Sequence, residues 1–537
     1  MNTNHRKALS LQPQIILLII AALLLLPWLG TTWFNSKGEP REAIVAMSIL
    51  QSGEWILPVN YGGDIPYKPP FLYWLIAIFA KIFNGGTVNE YVSRLPSALA
   101  CIGMIWAGYR WSARLRGERF GMIMALVTLT SVEVFRAAIA CRLDMVVTAT
   151  IVTSIYLLFD LRERDCRHRK LKYLAVILLM SAGTLTKGPI GSLIPCMVAG
   201  VYCLLCGDGF WRTLGRLSAL CLCSFILPAL WFLAASRQGG EGFTALMFEE
   251  NLGRMSGSMS YSSHEKPFWY NFVTLLSGMA PWTLLGVLSL IVARSYRRRM
   301  LRHGGLLALL AVVLIVGFYC IPASKRSVYL LPAYPFIAYG VASLILYLHN
   351  SKILKSYVWI LAVTGFVVPI AVTLALCDVI SIGKVQLWPL SWWMWPILYL
   401  PALASLLWFG NRRDSVAFAM LLPLVLLLTY AAVAQPMVLK PQSDRPLAEK
   451  IKDIAADAPV YSLNVPEGFR LYSVNFYTAD CLRPVEAAAL PDLPQGSVVI
   501  YNSLVADSTL FGSSYSHMHL TNRSADHRNP LSLAIKN

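Results

Sequence analysis

Charged side chains are scarce in this 537-residue chain, and those that break its apolar runs gather in short motifs. A polar segment from Gly38 to about Arg94 carries Gly38-Glu39-Pro40-Arg41-Glu42-Ala43 and then Tyr67-Lys68-Pro69-Pro70. Cys141-Arg142-Leu143-Asp144-Met145 stands at the mouth of a later run, and Thr186-Lys187-Gly188-Pro189 and Ser324-Lys325-Arg326-Ser327 lie between runs. A charge at bilayer mid-depth costs roughly 2.5–3.5 kcal/mol, so charges placed so close to apolar runs need a reason. One is chemistry on a lipid phosphate. A carboxylate can take the proton of an acceptor hydroxyl, and cations can hold a departing phosphate. Glu39 and Asp144 are the candidate acids. Arg41, Lys68, Arg94, Lys187, Lys325 and Arg326 are the candidate cations. The plainer readings are an acid favoured by the first turn of a helix and basic side chains reaching for the interface from helix ends. Each explains one residue well and the whole set less well.

Composition sets the surroundings of these residues. The chain is 56% hydrophobic and 14% charged, where soluble domains are nearer a quarter charged. Its apolar runs are long enough for a hydrocarbon core of about 30 Å. The fold class is therefore an α-helical polytopic membrane protein. Spans are expected near 14–34, 92–113, 119–138, 144–161, 172–187, 189–206, 214–235, 270–293, 305–322, 328–348, 356–377, 389–409 and 415–435, about thirteen in all. The first is read as a retained helix, since no small-residue cleavage site follows it.

Basic residues set the orientation. Clusters such as Arg162–Lys172 and Arg294–Arg302 follow even-numbered spans, which places that side in the cytoplasm. The net charge of +18 is mostly this topology signal, and no nucleic-acid partner is needed to explain it. The N-terminus is then cytoplasmic and the C-terminus extracytoplasmic. Loops 35–91 and 236–269 face outward. Most of the eleven cysteines lie in apolar runs and read as small packing residues.

The first outer loop reads as two interfacial helices, one ended by Gly53 and one opened by Pro69 and Pro70. Residues 1–435 form the expected membrane domain, and 436–537 a small α/β extracytoplasmic domain. In the latter, Val460–Leu463 and Val498–Tyr501 read as strands and Leu447–Ala456 as a helix.

Taken in order, the motifs resemble those of the C-type, polyprenyl-phosphate-dependent glycosyltransferases, which include the lipid A aminoarabinose transferases and the protein O-mannosyltransferases. Residues 38–43 are similar to the Asp-Glu-x-Arg-Tyr-Ala motif of the aminoarabinose transferases. The similarity continues through Tyr67–Trp74, Ser93–Ser97, Leu143-Asp144, Thr186-Lys187-Gly188, His264–Tyr270, Ser324-Lys325 and Tyr329–Pro332. The resemblance implies an inverting transfer of a monosaccharide from a polyprenyl-phosphate donor to a lipid A, glycan or protein acceptor. The place is the outer face of the inner membrane.

Glu39 or Asp144 would activate the acceptor. Arg41, Tyr67, Lys68, Arg94, Lys187, His264, Lys325 and Arg326 would bind the donor and its phosphate. Gly38 stands where the family has an Asp, and Tyr67 where it has a Glu implicated in a metal site. A divalent metal is thus left unassigned, as are the sugar, the acceptor and the oligomeric state. Two other classes compete: a glycan polymerase or ligase, and a lipid-linked sugar transporter. A transporter would call for mid-span ionisable residues or broken helices in paired halves, and the sequence shows little of either.

Overall fold

The computed structural model describes residues 10–66, 68–163, 166–249, 265–300, 304–380, 387–410, 414–465, 469–506, 508–523 and 530–537. Every one of the thirteen expected apolar runs carries helix. Among the described residues, six helices are long and apolar enough to cross a membrane, or up to eight if each of two bent pairs is one span. The first ten helices are α1 (Leu11–Leu25), α2 (Gly38–Ser52), α3 (Phe71–Phe83), α4 (Glu90–Arg116), α5 (Glu118–Leu129), α6 (Val132–Ala138), α7 (Leu143–Arg162), α8 (Arg169–Lys187), α9 (Ile190–Leu205) and α10 (Phe210–Phe248).

Local chemistry explains the element ends that matter for the site. Gly53 ends α2 at φ +75°, a conformation that costs glycine little. Pro70 precedes the first residue of α3. Asn89 caps α4, its side chain accepting from the Val92 amide at 3.0 Å.

Helices α7, α8 and α9 meet at glycines. A Cβ on Gly191 would lie 2.3 Å from the Gly183 carbonyl carbon, and one on Gly183 would lie 2.6 Å from Thr150 Oγ1. Small residues let membrane helices approach this closely, where packing rather than water drives association. Lys187 sits one turn beyond Gly183, so this contact also fixes its place.

Three expectations change. The run 119–138 is not one straight helix but α5 and α6, bent by 70°. Thr130 and Ser131 supply the break, their hydroxyls bonding back to the Leu126 and Val127 carbonyls at 2.6 and 2.8 Å. The run 270–293 is likewise two helices, Tyr270–Gly278 and Thr283–Ile291, bent by 114°. Broken helices are therefore present after all. The expected loop from 236 is helical as far as Phe248, because α10 continues through a kink at Gly240; residues 250–264 lie outside the described residues.

Among the described residues beyond Gln435 the chain forms helices at Arg445–Ala455 and Tyr472–Tyr477 and five strands, β1 (Val460–Leu463), β2 (Arg483–Val485), β3 (Val498–Asn502), β4 (Tyr515–Arg523) and β5 (Pro530–Lys536). The sheet order is β2-β1-β3-β5-β4. β1 runs parallel to β2 and β3, while β5 is antiparallel to β3 and β4. The central strand β3 is buried along its whole length, as its apolar run Val498–Tyr501 suits, and the polar Asn502 closes it.

This segment grips the first loop. Arg470 clamps Asp64 at 2.6 and 3.0 Å, Asp480 accepts from the Tyr61 amide at 2.9 Å, and the Leu471 amide donates to Tyr61 Oη at 2.9 Å. Tyr477 Oη accepts from the Phe34 amide and donates to Glu90, both at 2.8 Å.

Candidate active site

Glu39 lies in the first turn of α2 and is 7% exposed. Arg94 of α4 reaches it with Nε at 2.8 Å and Nη2 at 3.2 Å. The Cys141 amide adds a third hydrogen bond at 2.9 Å. Burial alone would raise the Glu39 pKa, but the Arg94 charge and hydrogen bonds, the Cys141 amide and nearby Arg142 outweigh it, so the carboxyl is held below its ordinary value. Arg94 spends its remaining donor capacity within the protein, on the Leu29 carbonyl at 2.7 Å and on Thr32 at 2.8 and 2.9 Å.

Glu39 also borders a cavity of about 440 Å³. Arg136, Arg142, Lys266, Lys325 and Arg326 line it, with Glu133 as the one other acid among the described residues of the wall. Five cations against two carboxylates make this an anion-attracting space. Lys325 is held in place by the Pro322 carbonyl at 2.6 Å, and Arg136 pairs with Glu133 at 3.1 Å. Arg142 and Arg326 make no side-chain hydrogen bond among the described residues. Gly38 contributes here by its size: a Cβ would come within 3.2 Å of Arg142 Nη2.

Asp144 opens α7 and pairs with Lys187 at the end of α8. The Lys187 ammonium also lies 4.3 Å from the centre of the Tyr329 ring. Oδ1 takes the Lys187 bond, and Oδ2 carries no hydrogen bond among the described residues. Residues next to this pair in the chain line two spaces. Arg142 and Arg326, from the cationic cavity, act on the Asp144 charge. On the other side, Gly188 lines an apolar cleft of about 370 Å³ with Pro69, Pro189, Phe225, Trp231 and Phe232.

The structure thus brings Glu39, Lys325 and Arg326 to one cavity and Asp144 and Lys187 beside it. Arg94 faces Glu39 rather than the cavity. Arg41 bonds its neighbour Glu42 at 2.8 Å, and Tyr73 donates to the same carboxylate at 2.8 Å. Lys68 is half-buried just ahead of Pro69 at the apolar cleft. Tyr67 and His264 lie outside the described residues.

Sequence reasoning missed Glu133, Arg136, Arg142 and Lys266. Arg142 and Lys266 stood inside motifs already singled out. Glu133 and Arg136 had a signal of their own, two ionisable residues three apart inside an apolar run. As a metal site, the surroundings of Glu39 fit poorly, since its neighbours are arginines. Among the described residues no three His, Cys, Asp or Glu side chains converge.

Residues 67–237 match the family model described as dolichyl-phosphate-mannose-protein mannosyltransferase. A protein of Aquifex aeolicus is 27% identical over 471 residues, 86% of each chain. The undecaprenyl phosphate-alpha-4-amino-4-deoxy-L-arabinose arabinosyl transferase of Edwardsiella ictaluri is 27% identical over 415 residues, 74% of this chain and 73% of that one. The fold is similar to the crystal structure of ArnT from Cupriavidus metallidurans bound to undecaprenyl phosphate, with TM-score 0.76, 18% identity and 98% of both chains covered. By these similarities the chain is a membrane glycosyltransferase that resembles the C-type, polyprenyl-phosphate-dependent enzymes. The oligosaccharyltransferase AglB of Archaeoglobus fulgidus shares the fold more distantly, with TM-score 0.53 at 12% identity over 95% of this glycosyltransferase and 72% of that chain. The present chain is a multi-pass membrane enzyme whose candidate site opens beside the first turns of its own α2 and α7.

Proposed function

We propose that this glycosyltransferase moves a monosaccharide from a polyprenyl-phosphate donor to a hydroxyl of lipid A, another glycan or a protein. One observation carries the reading: immediate neighbours of the Asp144–Lys187 pair line both an apolar cleft, through Gly188, and a cationic cavity, through Arg142. The donor's isoprenoid end suits the cleft. Its phosphate suits Lys187 and Lys68 at the cleft's lip, with Arg142 and Arg326 on the cavity side. The acceptor enters through the cavity. Relatives named as undecaprenyl-phosphate arabinosyl transferases support this donor class.

Asp144 is the better-placed base. Glu39 already has three hydrogen bonds, whereas Asp144 Oδ2 has none among the described residues. In the proposed step the acceptor oxygen bonds to the anomeric carbon as its proton passes to Asp144. The bond from that carbon to the phosphate oxygen breaks, and the electron pair leaves on the polyprenyl phosphate. The surrounding cations stabilise the charge as it develops. Attack opposite the leaving group inverts the anomeric centre. Glu39 and Arg94 act by positioning α2 against α4 and the Cys141 turn.

We further infer thirteen spans, a domain boundary near 435/436, an inner-membrane location, a cytoplasmic N-terminus and a C-terminal domain on the outer face. The basic clusters after even-numbered runs support that orientation. Mass spectrometry of lipid A, glycoproteins and lipid-phosphate sugars in a deletion strain tests the function. Loss of one glycan modification with accumulation of a polyprenyl-phosphate sugar is expected. Accumulation of a pyrophosphate-linked oligosaccharide instead would move the enzyme to the polymerase or ligase class.

A further inference from the structure

A second cationic cavity lies at the other end of α7. Its volume is about 680 Å³, and Arg162, Arg169, Arg212 and Arg216 line it together with Glu163 and Asp208. Four guanidinium groups against two carboxylates leave the wall net positive. α7 has 20 residues, Asp144 in its first turn and Arg162 in its last. At about 1.5 Å per residue it is about 30 Å long, which is the thickness of a bilayer's hydrocarbon core. If the proposed active site sits at headgroup depth in one leaflet, this cavity sits at headgroup depth in the other.

The cavity is a built space between helices. Arg162 is locked to Asp208 by two bonds at 2.9 and 3.0 Å and reaches the Cys206 carbonyl at 3.3 Å. That pair ties the end of α7 to the Gly207-Asp208-Gly209 turn between α9 and α10. Arg169 donates to the Glu163 and Leu161 carbonyls at 2.9 and 3.3 Å, which fixes the start of α8. Arg216 meets Cys203 Sγ at 3.2 Å. Arg212 is exposed and makes no hydrogen bond or ion pair among the described residues. Two arginines thus shape the walls, and Arg212 and Arg216 keep donor capacity for an occupant. A guanidinium presents a planar fork that matches phosphate oxygens.

From this the geometry points to a phosphate-binding site at the end of α7 remote from Asp144, sized for the headgroup of an anionic phospholipid. Basic pockets between membrane helices hold such headgroups. The site is separate from the proposed donor site by the length of α7 and does not depend on which sugar is transferred.

The test uses the full-length protein in nanodiscs of equal phosphatidylglycerol and phosphatidylcholine, with retained lipid read by native mass spectrometry after release. Wild type is expected to retain phosphatidylglycerol selectively. Arg212→Gln with Arg216→Gln should lower that retention on the order of tenfold. Arg212→Gln alone, which removes no hydrogen bond or ion pair among the described residues, should lower it by several-fold with unchanged melting. A second arm titrates inorganic phosphate against detergent-solubilised protein in a thermal-shift assay. Protection of wild type but not of the variants, without lipid enrichment, would assign the site to a soluble phosphate instead. Retention and phosphate protection equal in wild type and Arg212→Gln overturn the proposal.

Discussion

Replacing Arg94 by Met is the sharpest probe of how the active-site helix is held. Arg94 makes two hydrogen bonds to Glu39, one to Leu29 and two to Thr32, between 2.7 and 3.2 Å. Methionine fills the space but satisfies none of them. Glu39 would remain buried with the Cys141 amide as its chief partner. Breaking one side of a buried ion pair costs about 3–5 kcal/mol. Glu39→Gln should cost less, about 1–3 kcal/mol, since Arg94 keeps its carbonyl acceptors and the amide oxygen can still accept.

The double variant should cost less than the sum of the two, with a coupling of about 1 kcal/mol or more. Thermal unfolding of the purified protein in detergent gives the order: wild type, Glu39→Gln, Arg94→Met. The acid limb provides a second check. The folded-state pKa of Glu39 is depressed below its ordinary 4.5, so its contribution is present above pH 4.5 and is lost as pH falls through the lowered folded value. Glu39→Gln should lack that part of the acid sensitivity. Arg94→Met melting with wild type, or strict additivity in the double variant, would refute the clamp.

Asp144→Asn is expected to cut turnover by at least about a hundredfold while protein yield stays near wild type; near-normal turnover in an assay with a polyprenyl-phosphate sugar would remove Asp144 as base. Lys68→Ala should weaken donor binding, Lys68→Arg should keep part of it and Lys68→Glu should be worst; equal affinities on titrating donor into the three purified variants would retire Lys68 from the phosphate site. Reporter fusions at Arg167 and at the C-terminus should report opposite sides of the membrane; a shared side would sink the thirteen-span arrangement. Gly191→Val should sharply reduce folded yield, because its side chain would enter the Gly183 backbone of α8, and a normal yield would show that α8 and α9 do not meet there.

The charged motifs were legible in sequence because charges beside apolar runs are expensive and therefore conspicuous. Asp144 and Lys187 were found that way, 43 positions apart, but their pairing was not visible. It depends on three helices meeting at Gly183, Gly191 and Thr150, a contact that no periodicity announces. Glu133 and Arg136 were lost inside an apolar run read as one helix. The break that turns them toward the cavity comes from hydroxyls at 130 and 131 finding carbonyls one turn back. Strands β1 and β3 were legible as short apolar runs. β4, reading Tyr-Ser-His-Met-His-Leu-Thr-Asn-Arg, is polar on one side and lies at the sheet edge, so it carried little signal. The α10 extension through Gly239 and Gly240 read as loop because two adjacent glycines usually end a helix; here the helix resumes beyond the kink.

The grip of the last hundred residues on Tyr61 and Asp64 has a genetic consequence. The loop that leads to Lys68 and the segment from Arg470 to Asp480 are encoded far apart yet meet as one surface. A recombination event that exchanged the 3′ part of the coding sequence with that of a cousin would separate Arg470 from Asp64 and Asp480 from Tyr61. Such hybrids would inherit intact membrane helices and a mismatched entrance. The tail of this enzyme and its first loop are therefore expected to be inherited together, and changes at position 64 to be accompanied by changes at 470.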